Sequence, residues 1–274
     1  MVRTERLTNA HERAALAYLA HTPCMHVFLT YLILFDHSPL TRNAIHVAYD
    51  DDENVTGVAY FGRQVVLASE DDATIEAFAR IGASHGGDKM IVGPRDTTAQ
   101  YWSLIRDRHQ PARVIRDRQF VMMIDRPMLR PYEHRIVARR ARIEEWTAVA
   151  DNSAAMIGVE LQYDPMRSSP EFTSNVRAMI DRGLWWVGES VGRLCFFCNL
   201  GPWSGQTAQL QGIWTPPELR GKGLATDALG AVCDRLLEQT PTLSLYVNDF
   251  NHRAIALYER VGFTTTGEFQ TILF

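Results

Sequence analysis

Gln211-Gly-Ile-Trp-Thr-Pro-Pro-Glu-Leu-Arg-Gly-Lys-Gly-Leu-Ala225 joins an apolar run ending at Trp214 to a helical pattern that starts near Gly223 and reaches Glu238. Between strand and helix lies a short loop with two glycines and two cations, Arg220 and Lys222. The start of a helix leaves backbone N–H groups unpaired and carries the positive end of the helix dipole. A phosphate uses both. Gly221 and Gly223 lack the Cβ atoms that would hold a diphosphate away from the backbone. The spacing of Gly221, Gly223 and Ala225 is not the dinucleotide pattern GxGxxG, and Lys222 is followed by glycine rather than the Ser or Thr of a P-loop.

One strand further on (Leu243–Val247) comes Asn248-Asp-Phe-Asn251-His-Arg-Ala254-Ile-Ala-Leu-Tyr258-Glu-Arg-Val-Gly262-Phe263. On its own residues this stretch is a helix with Asn251 as a natural N-cap and Tyr258 beside Ala254 and Leu257 on one face. Taken with the loop, in this order and one strand apart, it resembles the paired signatures of the GCN5-related N-acetyltransferases (GNAT). The resemblance covers about residues 134–274. It implies a mixed, twisted sheet splayed open between the strand ending at Trp214 and the strand at 243–247, with acetyl-CoA as co-substrate and no metal. It implies that Ile213, Trp214 and Thr215 hold the pantetheine arm. Arg220, Gly221 and the amides from Lys222 through Gly223, Leu224, Ala225 and Thr226 hold the diphosphate. Asn248, Asn251 and Ala254 flank the arm, and Tyr258 protonates the leaving thiolate. The implied activity is acetyl transfer from acetyl-CoA to a primary amine on a small molecule or peptide.

The proton acceptor is less direct. Many members of that family carry a glutamate on the strand before the loop, where this chain has Gln209 and Gln211. Glutamine cannot act as a base, so either water or another carboxylate serves. Glu160 is the first candidate, followed by Asp164 and Glu189. The alternative is a non-catalytic, acyl-CoA-binding regulatory protein on the same scaffold. Trp185, Trp186, Phe196, Phe197, Trp203 and Tyr163 are candidates to line an apolar acceptor cleft, although strand spacing places most of them in a core.

Working outward, two α/β patterns flank Asp125–Glu133, a polar segment with Pro127 and Pro131 that suits neither helix nor sheet. The predicted division is 1–126, a linker at 127–133, and 134–274. In the first part, residues 5–35 read as two helices broken at Pro23. Strands are expected at 44–49, 55–61, 65–67, 90–92 and 120–124, with helices at 71–82 and 97–108. In the second, strands are expected at 136–143, 184–189, 193–200, 207–214 and 243–247, followed by a closing hairpin at 263–266 and 269–274. The halves share a rough element order, which suggests an internal repeat without matching motif residues. The chain also resembles a narrower group of two-domain bacterial acetyltransferases. This implies tandem GNAT-like α/β (α+β) domains, each a mostly antiparallel twisted sheet flanked by helices, the N-terminal one a degenerate copy.

Length and composition agree with that division. The 274 residues suit two domains of ordinary size, with 46% hydrophobic and 22% charged residues. No apolar run reaches the roughly 18–20 residues needed to span a bilayer, and the opening residues turn polar at once, which points to a cytoplasmic protein with no membrane partner. A net charge of −4 argues against nucleic acid as a partner; the arginine-rich run from Arg135 to Arg142 reads as a solvated strand. A monomer or homodimer is expected. Cys195 and Cys198 have CxxC spacing, but on a regular strand their sulfurs would face opposite sides, and no second pair completes a metal site.

Overall fold

The computed structural model describes residues 2–274. The N-terminal half runs β1 (Arg3–Arg6), α1 (Asn9–Leu19), α2 (Pro23–Phe35), α3 (Pro39–Ala44), β2 (Ile45–Tyr49), β3 (Val55–Phe61), β4 (Val65–Ala68), α4 (Asp72–Gly82), β5 (Met90–Pro94), α5 (Arg95–Ile105) and β6 (Val114–Asp125). The C-terminal half runs β7 (Val137–Arg140), α6 (Trp146–Leu161), α7 (Pro165–Ser168), α8 (Phe172–Asp181), β8 (Trp185–Ser190), β9 (Arg193–Trp203), β10 (Thr207–Trp214), α9 (Leu224–Leu236), β11 (Thr242–Asn248), α10 (His252–Val261) and β12 (Thr264–Leu273). Pro23 stands at the first turn of α2, where its missing N–H costs nothing.

The strands form one sheet in the order β1-β2-β3-β4-β5-β12-β6-β11-β10-β9-β8-β7. Two neighbouring pairs are parallel, β4 with β5 and β10 with β11. Each half contributes five strands of its own, and each is completed by the last strand of the other. β12 pairs with β5, β6 pairs with β11, and the two exchanged strands pair with each other at the centre. Residues 127–133 contain neither helix nor strand, but the sheet is shared across them.

The side-chain period of two explains how β6 serves both halves. Val121 packs into the core of Leu19, Leu29 and Leu32 from α1 and α2. Met122 and Ile124 pack into the core of Ala228, Leu229 and Val232 from α9.

Four local readings are corrected. Residues 3–6 are a strand ahead of the first helix, and β6 begins at Val114 rather than Phe120, because its first half carries charges that read as loop. The expected closing hairpin is one strand, β12, with its register shifted between Thr265 and Gly267. A Cβ on Gly267 would stand 2.5 Å from the Met25 sulfur, so this glycine serves close approach of α2 rather than a turn. Finally, Cys195 and Cys198 both enter the core that contains α9, while Phe197 faces the other way. A bulge at Cys195, between the pairs Gly188–Phe196 and Glu189–Leu194, adds one residue and restores both sulfurs to one face. All four cysteines are free and buried.

Candidate active site

β10 and β11 pair only from Thr207–Gln209 to Thr242–Ser244. Beyond Gln209 they diverge. Gly212 takes φ +60°, the register of β10 against β9 shifts between Gln211 and Trp214, and β11 continues straight against β6. The gap opens into a cavity of about 540 Å³, within the range of small-molecule sites. Leu210–Ile213 form one wall, Leu245–Asn248 another, and Asn251 and Tyr258 of α10 close one end. The N-terminal half supplies a third wall, including Met25, Phe28, Met90, Arg116 and Gln119.

The glycine loop follows the end of β10 at Trp214, and residues 214–226 are not among the cavity's described lining. Gly221 and Gly223 have φ of +76° and +77°, the left-handed region that glycine adopts without a Cβ clash. Gly223 is the N-cap of α9 and offers no side chain to its first turn. Among the described residues, the N–H groups of Gly221, Lys222, Gly223, Leu224 and Ala225 find no acceptor, while that of Thr226 donates to the Gly223 carbonyl at 3.1 Å. Arg220 donates to the Thr215 carbonyl at 2.9 Å and lies over the Trp214 ring at 4.4 Å. Lys222 donates to the Glu218 carbonyl at 3.2 Å. A third cation stands against the loop: a Cβ on Gly223 would be 2.7 Å from Arg135 Nη2. Arg135 is held by Asp227, a nearly buried carboxylate on α9, at 2.6 Å. In the sequence Arg135 is one member of a basic run; only the fold brings it to the loop.

Tyr258 is 7% exposed and lines the cavity, and its hydroxyl makes no hydrogen bond among the described residues. Burial raises its pKa above the ordinary phenol value, and the charge of Glu160 adds to the effect. It therefore holds its proton at neutral pH. Asn251 caps α10 by accepting from the Ala254 N–H at 3.3 Å and also lines the cavity. Asn248 accepts from Gln119 at 3.0 Å on the same wall. Ala254 packs on the core beneath α10.

The three candidate carboxylates separate cleanly. Glu160, in the last turn of α6, faces the cavity. The residue is exposed to solvent, yet the protein around its carboxyl desolvates it enough to raise its pKa, which the charge of Arg116 opposes. Asp164 caps α7 through the Met166 N–H and lines a separate surface hollow. Glu189 is held by Arg139 at 2.7 Å on the outer strands. Gln209 and Gln211 line the cavity and bond to each other at 2.8 Å. The candidate aromatics lie outside it: Trp185, Trp186, Phe196 and Phe197 are core, Trp203 packs on Tyr31, and Tyr163 borders the hollow near Asp164. The apolar lining from α2 and β5 carries no local signal, since Met25, Phe28 and Met90 read as ordinary packing residues.

Among the described residues no helix is long and apolar enough to cross a membrane. Residues 139–263 match the model of the acetyltransferase (GNAT) family, and residues 45–149 match a domain of unknown function, DUF4081. A mycothiol acetyltransferase of Acidimicrobium ferrooxidans is 38% identical over 87 residues, which is 30% of this chain and 28% of that protein. The chain thus spans under a third of the length of this relative. An acetyltransferase from Colwellia psychrerythraea shares the fold with a TM-score of 0.58 at 16% identity, over 100% of this chain and 99% of that one. A tandem GNAT protein from the clavulanic acid biosynthesis pathway, solved without acetyl-CoA, gives 0.57 at 13% identity over 99% and 98%.

Proposed function

We propose, from the match of residues 139–263 to the acetyltransferase (GNAT) family model, that the protein transfers an acetyl group from acetyl-CoA to a primary amine. The observation that carries the proposal is the run of unpaired amides from Gly221 to Ala225 at an uncapped helix start, reached from the strand whose Leu210–Ile213 wall a cleft also lined by Tyr258. A diphosphate needs several N–H donors, a favourable dipole and positive charge in one place. Gly221 to Thr226 would hold it, with Arg220, Lys222 and the neighbouring Arg135 adding charge. Ile213, Trp214 and Thr215 would bond the pantetheine arm, and Asn248, Asn251 and Ala254 would border it. The bound co-substrate supplies the acetyl group already activated as a thioester.

The protein's own groups then handle protons. Glu160 takes one from the acceptor ammonium, directly or through water, so that nitrogen attacks as the free amine. Its raised pKa brings it closer to that task than an ordinary glutamate. Tyr258 offers its O–H to the sulfur as the C–S bond breaks, and the proton that the attacking nitrogen loses on becoming the amide restores the phenol. The phenol is kept protonated by burial and has no competing partner. We place the reaction in the cytoplasm. Titration calorimetry with acetyl-CoA and CoA, together with thiol release over a panel of amines, tests the reading; absence of acetyl-CoA binding would sink it. A second reading, a non-catalytic acyl-CoA-binding regulator, draws on the mutually bonded Gln209 and Gln211 on the strand beside the cleft. Binding of acetyl-CoA with no turnover on any amine would favour it.

A further inference from the structure

The cavity is built by both halves, and among its described lining residues the charged ones are Arg116 and Glu160. They face it from different halves, Arg116 from β6 and Glu160 from α6. Arg116 Nη2 donates to the Glu160 backbone carbonyl at 3.1 Å, which makes the two residues neighbours. They do not form an ion pair: Glu160 stands within 4.0 Å of no cation, and Arg116 of no carboxylate, among the described residues. The contrast along β6 is sharp. Asp117 is matched by Arg95 at 2.7 Å, and Arg118 by Glu268 at 2.5 Å. Only the arginine that turns into the cavity lacks a carboxylate. On Glu160, desolvation outweighs the charge of Arg116. Two opposite charges thus line one cavity without pairing, Glu160 exposed and Arg116 half-buried, and both are left available to a ligand. Beyond them the wall is apolar and adaptable, with Met25 and Phe28 from α2, Met90 from β5 and Phe269 from β12.

We propose that the acceptor is a zwitterion of the amino-acid type, with an amine and a carboxylate on adjacent positions and an apolar side chain. Glu160 faces its ammonium, Arg116 takes its carboxylate, and the methionine-lined wall from the N-terminal half receives the side chain. The guanidinium keeps Nε and Nη1 for a carboxylate, since the one protein contact it makes uses Nη2. The N-terminal half thereby becomes part of the acceptor site. The inference rests on the acetyl-transfer reading and narrows its acceptor.

Thiol release from acetyl-CoA is followed with matched sets of acceptors: methionine, methioninamide and 3-(methylthio)propylamine, then leucine, leucinamide and isoamylamine. The free acids are expected to have kcat/KM roughly 10- to 100-fold above their amides and amines, because a site built for a charged group rejects analogues that lack it. Arg116→Met is expected to bring acid and amide to the same rate, with acetyl-CoA binding by calorimetry unchanged. The acid-to-amide ratio of the unaltered protein tests the idea even if that variant fails to fold. Amides or amines used as well as acids overturn the proposal, as does no turnover of any acid by a protein that binds acetyl-CoA. Failure to bind acetyl-CoA overturns the acetyl-transfer reading itself, so the two failures are told apart.

Discussion

The two halves contain the same unit, a parallel strand–helix–strand followed by a second helix, and treat its helix start in opposite ways. In β4–α4–β5 the connection is three residues long and capped by side chains. Ser69 donates to the Thr56 carbonyl and accepts from the Asp71 N–H, while Thr97 donates to the Ser69 carbonyl at 2.6 Å. Asp71 then caps α4, accepting from the N–H and hydroxyl of Thr74 at 2.8 and 2.7 Å. A carboxylate thus occupies the place an anionic ligand would need. In β10–α9–β11 the connection spans residues 215–223, ends on uncapped Gly223 and leaves five amides free. The helix dipole is common to both; what differs is whether the protein has already answered it.

The same contrast holds one helix later. Tyr258 is the seventh residue of α10, and Tyr101 is the seventh residue of α5. Tyr258 opens on the cavity, whereas Tyr101 is 0% exposed with its hydroxyl buried and unpartnered. Exchanging the pair tests whether position or environment makes the functional group. Tyr258→Phe is expected to lower kcat by roughly 10²- to 10⁴-fold, the usual worth of a placed proton donor, with acetyl-CoA binding within a few-fold. Tyr101→Phe is expected to leave kcat unchanged. Equal kcat for the two variants in steady-state thiol release would break the comparison.

Converting one helix start into the other comes next in size. Gly223→Asp places a carboxylate where α4 carries Asp71. Asp is among the residues that tolerate a left-handed backbone, so the fold is expected to survive. Acetyl-CoA should bind on the order of 100-fold more weakly, since like charges brought together cost several kcal/mol. Calorimetry reads this directly, and unchanged affinity would place the diphosphate elsewhere.

A smaller effect separates the walls. The C-terminal half brings Glu160 to the cavity, while α2 brings only apolar residues and the N-terminal half no carboxylate. Because desolvation raises the Glu160 pKa, its neutral form persists to higher pH than usual, and the ionised base exists only above that point. Activity is therefore lost as pH falls through the raised pKa, at up to about tenfold per unit, with the inflection above the ordinary glutamate value of about 4.3. Glu160→Gln should lower kcat/KM and remove this limb of the profile. A limb that survives the substitution would assign the proton to another group.

How much of this is legible in the sequence follows from how local each feature is. The loop and the tyrosine helix are contiguous signals, since backbone conformation and helix spacing bring their residues together without help. The exchange of β6 and β12 is not legible, because a strand has the same alternating pattern whichever sheet receives it. Arg116 is hidden for a related reason. It lies between Ile115 and Asp117 in a charged run, and only pairing with β12 turns it toward the cavity and its neighbours toward Arg95 and Glu268. The repeat is visible as element order, but the matching tyrosines emerge only when both helices are placed on the sheet.

The smallest expected effect concerns what the unused tyrosine costs. A Cβ on Gly82 of α4 would lie 1.9 Å from the Tyr101 hydroxyl, so the two helices of the N-terminal unit meet at this point. The hydroxyl fills that contact but bonds to nothing, and burying such a group without a partner costs about 1–3 kcal/mol. Tyr101→Phe removes the penalty and keeps the ring, so it is expected to stabilise the protein by about 1 kcal/mol, a rise of roughly 2–4 °C in Tm for a chain of this size. Gly82→Ala drives a methyl into the same hydroxyl and should lower Tm. The double variant should recover part of that loss, because the closest clash is with the oxygen that Phe lacks, while ring Cζ at 2.9 Å remains. Thermal unfolding of the four proteins decides the matter: additive changes would mean that the Tyr101 hydroxyl is not what Gly82 makes room for.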